Sequence, residues 1–123
     1  MSERSERAKP VGPYTPVVEA GEWIVVSGQV GLADGKLADG GFDAQCQQAL
    51  ANLRGQLESV GASLDDVVKT TVFLRHMTDY ARMNELYMEA FGDHRPARSA
   101  IGVAELPLGA LVEVEAWASR ARD

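Results

Sequence analysis

The chain has 123 residues, of which 46% are hydrophobic and 24% charged, a balance typical of one folded domain and not of a disordered chain. Lys and Arg number 12 against 18 Asp and Glu, so the formal net charge is -6. This charge argues against a general nucleic-acid-binding surface, which needs a basic footprint. The single cysteine excludes an intrachain disulfide and every metal site that needs several cysteines.

No stretch of the sequence approaches the roughly 20 apolar residues that a membrane helix needs. The polar beginning of the chain, residues 1–10, does not resemble a secretory signal. Together with the lone cysteine, these features predict a cytoplasmic protein without a membrane partner. We expect residues 1–123 to form a single domain, in which residues 1–10 make a loose N-terminal arm.

The first elements of the chain are predicted to be extended. Segment 10–16 contains three prolines, which fix φ and favour extended geometry. β-Branched and aromatic residues predict a strand at 23–27, paired as a hairpin with the short apolar run at 17–18. Two Asp-Gly pairs within 34–40 are turn signals and predict a loop or a small hairpin.

A long amphipathic helix is predicted next, because apolar residues recur at spacings of three and four between Phe42 and Val60. Asp43 is suitably placed to cap the beginning of this helix, and Gly61 to follow its end. Cys46 lies on the apolar stripe. We interpret it as an inert core thiol in preference to a nucleophile.

The rest of the chain alternates strands with a second helix. The pattern predicts a strand at 67–74, a helix from Thr78 to Gly92, a short strand at 97–103 and a final strand at 110–118. The resulting order, β-β-α-β-α-β-β, favours an α+β fold. In it, two helices pack on one face of a mixed sheet.

The final strand has two different faces, since alternate side chains of a strand point in opposite directions. One face is apolar and suits burial under the helices. The other carries Leu111, Glu113, Glu115 and Trp117, so that apolar side chains stand beside two carboxylates. This second face is either an ordinary exposed sheet face or a surface buried against another subunit, and the pattern leaves both open.

The candidate chemistry of the sequence centres on one arginine. Common phosphate-loop, dinucleotide and zinc-protease motifs do not occur, and His76 and His94 are interpreted as solvated loop residues rather than metal ligands. Arg98 shares a side of its strand with Ala100 and Gly102, which leave space around a guanidinium. It either reads a carboxylate ligand or is a surface arginine paired with an acidic group.

A set of short segments resembles the RidA/YjgF family of reactive-intermediate (imine/enamine) deaminases, in the order and at nearly the intervals that the family shows. The resemblance runs from about Gly12 to Ala118, and its most specific part is Pro96-Ala97-Arg98-Ser99 followed by Glu115. The segments are Gly12-Pro13-Tyr14, Ser27-Gly28-Gln29, Val68-Lys69-Thr70-Thr71-Val72-Phe73, Asn84 with Tyr87-x-x-Ala90-Phe91, Arg95-Pro96-Ala97-Arg98-Ser99 and Val112-Glu113-Val114-Glu115-Ala116.

The resemblance implies a chorismate-mutase-like α+β fold and a homotrimer with a β-barrel-like core. In that assembly the sheets face inward and three sites lie in the clefts between subunits. The implied reaction is the hydrolytic deamination of reactive 2-imino or 2-enamino acids, such as 2-aminoacrylate and 2-iminobutanoate, to 2-oxo acids and ammonia. The implied partners are these small carboxylate-bearing substrates, with no metal, organic cofactor or nucleic acid.

The resemblance also implies site residues by their position in the family pattern. Arg98 is expected to clamp the substrate carboxylate, and Glu115 to hold or activate the attacking water. The expected substrate-binding residues are Tyr14, Ser27, Gly28, Asn84, Ser99 and Ala100. Two departures bear on activity and substrate size: Ala100 replaces a cysteine common in the family, and the loop at 92–96 is short.

Other functions remain as alternatives. A non-catalytic trimer that binds a small 2-oxo or amino acid would use the same arginine. A pathway-specific catabolic relative of the deaminases is not separable from them by sequence. A ribonuclease is disfavoured, because the chain is acidic and has no aromatic platform for stacking single-stranded RNA.

Overall fold

Strands and helices alternate along the part of the chain that the computed structural model describes, residues 9–121. Most of the expected N-terminal arm, residues 1–8, lies outside the described residues. The elements are β1 (Val17–Ala20), β2 (Trp23–Val30), β3 (Leu32–Ala33), β4 (Lys36–Leu37), α1 (Gly41–Glu58), β5 (Val67–Leu74), α2 (Tyr80–Phe91), β6 (Ala97–Gly102) and β7 (Val112–Ser119).

Five strands form one mixed sheet in the order β1-β2-β7-β5-β6. β5 and β6 are parallel and are joined through α2, whereas the other neighbours in the sheet are antiparallel. β3 and β4 form a separate small hairpin. Its turn residues Asp34 and Gly35 both have positive φ, which a tight hairpin turn requires. The predicted α+β class, with one parallel pairing among antiparallel ones, is confirmed.

The core lies between the helices and one face of the sheet. Val112, Val114, Ala116 and Ala118 of β7 are all buried there, as the alternation predicted. α1 contacts β2, β7 and α2, and its apolar stripe supplies much of the rest of the hydrophobic core. Burial of each Val or Leu side chain contributes about 1.5–3 kcal/mol, so this layer is the main source of stability.

The beginning of α1 differs from the prediction. Asp43 does not cap the helix; Gly40 is the N-cap, with positive φ and no side-chain capping bond. Instead, the Asp43 carboxylate accepts from Nε and Nη2 of Arg82 at 3.0 and 2.7 Å, which ties α1 to α2. These hydrogen bonds lower the pKa of Asp43. The Asp43 carboxylate therefore pairs with two N–H donors of the Arg82 guanidinium instead of the backbone N–H groups at the beginning of α1.

The second helix also begins later than predicted. Thr78 belongs to a short 3-10 turn at Met77–Asp79, and α2 begins at Tyr80. The helix ends as predicted, with Gly92 at its C-cap in a positive-φ conformation. Of the two histidines, His76 is exposed, but the interpretation of His94 as a solvated residue is wrong.

The ring of His94 is fixed by neighbours on both sides. Its Nε2 lies 2.7 Å from the Val67 carbonyl oxygen, and the ring packs near Phe91. The interpretation of Cys46 as a core thiol is confirmed. Burial raises its pKa to about 12, so the side chain stays a protonated thiol at neutral pH.

Nothing within residues 9–121 covers the sheet face opposite the helices, here called the open face. Trp23 and Trp117 lie on it as an edge-to-face pair with ring centroids 5.8 Å apart. They are 43% and 46% exposed, respectively. Glu113 and Glu115 share this face with Phe73, since they alternate with the buried valines of β7.

Candidate functional site

Arg98 lies on the edge strand β6, and its side chain points to the side of the sheet where α2 packs. Its register partner is Thr70 of β5, whose hydroxyl is 2.7 Å from the Tyr87 hydroxyl. Arg98 Nη2 donates to Tyr80 Oη at 3.1 Å. The guanidinium carbon lies 4.9 Å from the centre of the Tyr87 ring and 5.6 Å from that of Tyr80. Two aromatic rings therefore hold the guanidinium by cation–π attraction.

The charge of Arg98 has no counter-ion within residues 9–121, where no carboxylate lies within ion-pair distance of it. By contrast, Arg82 and Arg120 are both paired with acidic side chains. Within residues 9–121, Arg98 is therefore not a surface arginine paired with an acidic group. Burial raises the pKa of Tyr87, so its ring contacts the guanidinium as a neutral phenol. The guanidinium keeps donors for an external anion.

Asn84 lies on α2 between Tyr80 and Tyr87, one turn from each, and so faces the same region as Arg98. Its Oδ1 is buried and has no hydrogen-bond partner in the part of the chain described. A buried acceptor left unpaired typically costs about 1–3 kcal/mol. This oxygen is therefore positioned to accept a hydrogen bond from a group outside the described residues.

A β-bulge interrupts β2 between Val26 and Gln29, and Ser27 and Gly28 occupy it. Ser27 is tied to the N-terminal segment, because its Oγ donates to the Thr15 carbonyl at 2.7 Å. Its backbone N–H donates to the carbonyl of residue 16 at 2.8 Å. The Ser27 hydroxyl is thus already used in a hydrogen bond within the chain. Together, the two bonds attach the bulge to the segment that carries Tyr14.

Tyr14 is exposed, and its hydroxyl accepts from the Val11 backbone N–H at 3.3 Å. Tyr14 and Gly28 line one shallow recess beside the bulge, together with Val30. The structure therefore brings Tyr14, Ser27 and Gly28 close to one another.

Glu113 packs directly against this bulge. A Cβ atom on Gly28 would overlap Oε2 of Glu113 and lie 2.7 Å from its Cδ. The carboxyl of Glu113 thus occupies the space that a side chain at Gly28 would need. Burial, followed by the charge of Glu115, raises the pKa of Glu113. Glu115 lies further along β7, in register with Thr71.

The family pattern selects Glu115, but the carboxyl that packs against Gly28 is that of Glu113. Sequence reasoning missed Tyr80 and Tyr87, the two rings that hold Arg98. Their spacing of seven residues, two helical turns, indicated only an apolar stripe. An arginine on the strand that follows such a helix is the signal that could have revealed their role.

The predicted residues form two groups on opposite faces of the sheet. Arg98 faces α2, whereas Glu113 lies on the open face, and β5 separates their strands. Adjacent strands are about 4.8 Å apart, so the two strands lie roughly 10 Å from each other. Ser99 is exposed on the open-face side, in register with Thr71, and Ala100 packs against the core. One chain therefore does not bring Arg98 and a β7 carboxylate into one cleft.

The chemical groups of the site are all ordinary side chains. Within 9–121, no group of three or more His, Cys, Asp or Glu side chains is arranged to hold a metal ion. In the same range, none of the helices combines the length and the apolar character needed to cross a membrane. The site is therefore built from an unpaired arginine, tyrosines, an amide and carboxylates.

These features define the class of protein. It is a small α+β domain in which two tyrosine rings hold an arginine on an edge strand and a glutamate carboxyl packs against a β-bulge. Residues 4–120 match the family model described as Endoribonuclease L-PSP. The chain belongs to this family, also known as RidA/YjgF.

Individual relatives are similar over most of their length. The 2-iminobutanoate/2-iminopropanoate deaminase of Mus musculus is 44% identical over 110 residues, 88% of this chain and 82% of that protein. A RutC family protein of Pyrococcus horikoshii is 43% identical over 112 residues, 89% of each chain. The crystal structure of RidA from an Antarctic Psychrobacter matches with a TM-score of 0.89 and 36% identity, covering 93% of this chain and 94% of that one.

Proposed function

We propose that this protein hydrolyses reactive 2-imino and 2-enamino acids to 2-oxo acids and ammonia, at sites shared between the subunits of a homotrimer. The observation that carries the proposal is the state of Arg98. Its guanidinium is held by Tyr80 and Tyr87 but has no acidic partner among the described residues. The similarity to proteins named 2-iminobutanoate/2-iminopropanoate deaminase supports the same reaction.

In this proposal, Arg98 binds the substrate carboxylate through paired N–H donors, which fixes the orientation of the adjacent C=N carbon. Asn84 Oδ1, which lacks a partner in residues 9–121, accepts from an N–H of the substrate. Ser99 and Ala100 follow the arginine on β6 and contribute backbone contacts. The substrate is thus recognised by its carboxylate and its nitrogen.

A carboxylate on β7 activates the water, and the geometry favours Glu113 over Glu115. Glu113 packs against Gly28, which lines a recess together with Tyr14. Its raised pKa makes it a stronger base than an ordinary glutamate. The water oxygen bonds to the imine carbon as the C=N π electrons move to the nitrogen; one water proton passes to the Glu113 carboxylate, which returns it to the nitrogen. In the carbinolamine that results, the hydroxyl proton passes to the nitrogen by way of the same carboxylate, the C–N bond breaks, and the 2-oxo acid and ammonia leave.

The trimer is proposed because one chain carries the two halves of the site on opposite faces. A cleft that uses both Arg98 and Glu113 then draws them from two copies. The open face supports this assembly, since Trp23 and Trp117 expose apolar surface beside the carboxylates. We infer that the open face is buried against its symmetry mates.

The rival proposal is a trimer that binds a small 2-oxo or amino acid without turning it over, for which the Arg98 clamp would suffice. Ammonia release distinguishes the two. A threonine dehydratase generates 2-iminobutanoate in situ, and ammonia is followed with and without this protein. The deaminase proposal requires a rate well above that in buffer, lost in Arg98→Ala but kept in Arg54→Ala, an exposed arginine on α1.

The binding proposal requires instead that 2-oxobutanoate binds to the wild type and not to Arg98→Ala, with no acceleration of ammonia release. Ribonuclease activity is a weaker proposal, because the net charge of -6 gives no basic footprint for RNA.

A further inference from the structure

The face of α1 that packs on the sheet carries several amide side chains that are buried in an otherwise apolar layer. Gln45 and Asn52 are 8% exposed, and Gln56 is fully buried, as is nearly all of Gln29 on β2. Burying an amide costs free energy unless its groups are hydrogen-bonded, so apolar residues would fill this layer at a lower cost. The hydrogen bonds of these amides identify the backbone segments that they fix in place.

Asn52 fixes the end of β2. Its Nδ2 donates to the carbonyl oxygens of Val30 and Leu32 at 3.0 and 2.9 Å. Gln48, one turn earlier on α1, donates to Asn52 Oδ1 at 2.8 Å, which sets the orientation of the amide. A single side chain therefore ties the two residues on either side of Gly31 to the helix.

Gln29 and Gln56 fix the bulge itself. Gln29 Nε2 donates to the Ser27 carbonyl at 3.0 Å, and Gln56 Nε2 donates to Gln29 Oε1 at 3.5 Å. This relay runs from α1 to the backbone of the bulge, where regular pairing with β7 is interrupted. The carbonyl that it holds belongs to the residue just before Gly28.

Gln45 fixes the start of β7. Its Oε1 accepts from the Leu111 backbone N–H at 2.9 Å, two residues before Glu113. The helix comes very close to the end of β2 at the same level, because a Cβ on Gly31, the residue after β2, would lie 2.7 Å from the Cα of Gln45. The same turn of α1 thus contacts the residue that follows β2 and the residue that precedes β7, the two strands that carry the Gly28–Glu113 contact.

We propose that Gln45, Asn52, Gln56 and Gln29 form an amide clamp that positions the Glu113 carboxyl over Gly28 by fixing the bulge of β2 and the start of β7 to one helix. They are positioning residues, since their hydrogen bonds reach the two strands and not the carboxyl itself. The role in turnover rests on the proposed function, in which Glu113 activates water. The role in placing Glu113 does not.

The test replaces amides by side chains of similar size. Asn52→Leu removes the bonds to Val30 and Leu32, and Gln29→Met removes the bond to Ser27, so either variant tests the clamp if the other fails to fold. Leu64→Ala and Leu64→Val are the controls. Leu64 is a buried core residue outside the amide layer, and the two changes bracket the loss of stability expected from a core defect.

Two readouts separate positioning from stability. The first is the pKa of Glu113, measured by NMR of the trimeric protein labelled at the glutamate side-chain carboxyl carbons and assigned with Glu113→Gln. The second is the split between kcat for 2-iminobutanoate and the Kd for 2-oxobutanoate. We expect both amide variants to move the Glu113 pKa toward that of an ordinary glutamate. We also expect kcat to fall by about 10–100-fold, with a Kd within about threefold.

The clamp is overturned if both amide variants keep the wild-type Glu113 pKa and kcat while their melting temperatures fall as far as those of the Leu64 variants. Absence of imine hydrolysis by the wild type would overturn the proposed function alone, because the Glu113 titration still tests the clamp. A shifted Glu113 pKa in the Leu64 variants would equally overturn the clamp, since any core defect would then have the same effect.

Discussion

Gly28 and Glu113 share one space: the carboxyl of Glu113 lies where a Cβ on residue 28 would project, with its Cδ 2.7 Å from that point. The contact joins a bulge on β2 to the strand beside it. Any side chain at position 28 must displace the carboxyl or open the bulge. The glycine is therefore needed for close approach, since its own φ is not in the left-handed region.

Gly28→Ala is accordingly expected to lower the rate of imine deamination by about 10–100-fold, because displacement of a reacting group by about 1 Å has that order of effect. The measurement is ammonia release from freshly generated 2-iminobutanoate. Gly55→Ala is the matched control. An added methyl at that position would meet no neighbouring atom, and alanine stabilises a helix interior by about 0.5–1 kcal/mol. Equal activity in the two variants would contradict the role of the contact.

Arg98→Lys is expected to be nearly as damaging as removal of the side chain. An ammonium lacks the planar pair of donors for a carboxylate and does not stack between two rings in the same way. We expect deamination to fall by at least about 100-fold, which corresponds to loss of about 2.7 kcal/mol of transition-state binding. Binding of 2-oxobutanoate, measured by calorimetry, should weaken in parallel. Wild-type rates in Arg98→Lys would show that no bidentate contact is made.

The two β7 carboxylates are distinguished by paired amide substitutions. Glu113→Gln is expected to keep ligand binding but to slow turnover by about 10²–10⁴-fold, the usual contribution of a general base. Glu115→Gln is expected to have a much smaller effect, because the three atoms nearest to a Cβ on Gly28 all belong to Glu113 and none to Glu115. Turnover and 2-oxobutanoate binding are measured for both. A reversed order of sensitivity would assign the water to Glu115, as the family pattern alone suggested.

The raised pKa of Glu113 predicts a pH dependence of stability with a definite sign. The folded state binds the Glu113 proton more tightly than the unfolded state, so stability falls as pH rises above about 4.3, the ordinary pKa of glutamate. Glu113→Gln removes this pH-dependent loss of stability and should therefore unfold at a higher temperature than wild type at neutral pH. The difference should vanish below that pKa. Melting curves at matched subunit concentration test this, with Glu115→Gln as control.

Assembly provides a fifth prediction. Light scattering during size-exclusion chromatography should report three copies of the 13.2 kDa chain. Trp117→Glu places a charge on the open face and should yield monomers, since a buried unpaired carboxylate strongly opposes association. Met88→Glu, at an exposed position on α2, should leave the trimer intact. A monomeric wild type at micromolar concentration would contradict both the trimer and a site shared between subunits.

Local patterns in the sequence were enough to predict the elements and the fold class. The stripe of α1 follows from the helical period, and the parallel pairing of β5 with β6 follows from the helix between them. Capping by Asp43 was wrong because its partner, Arg82, lies 39 residues further on. A long-range partner of this kind leaves no local signal.

For the site too, some features follow from local sequence patterns and others depend on long-range contacts. Sequence placed Arg98 among small residues on a strand, and the structure adds that no acidic side chain of residues 9–121 pairs with it. The distinction between Glu113 and Glu115 depends on the bulge of β2, which sets the register against β7. The period of a single strand puts both carboxylates on one face and does not choose between them.

The pairing of Trp23 with Trp117 has a spectroscopic consequence. These are the two tryptophans of the chain, and they share one face at a centroid distance of 5.8 Å. All indole fluorescence therefore originates from that face, and none from the helical layer. Emission wavelength and quenching by iodide then report directly whether water reaches the face, without any attached dye. The two tryptophans therefore serve as an intrinsic fluorescence probe of whatever covers the open face.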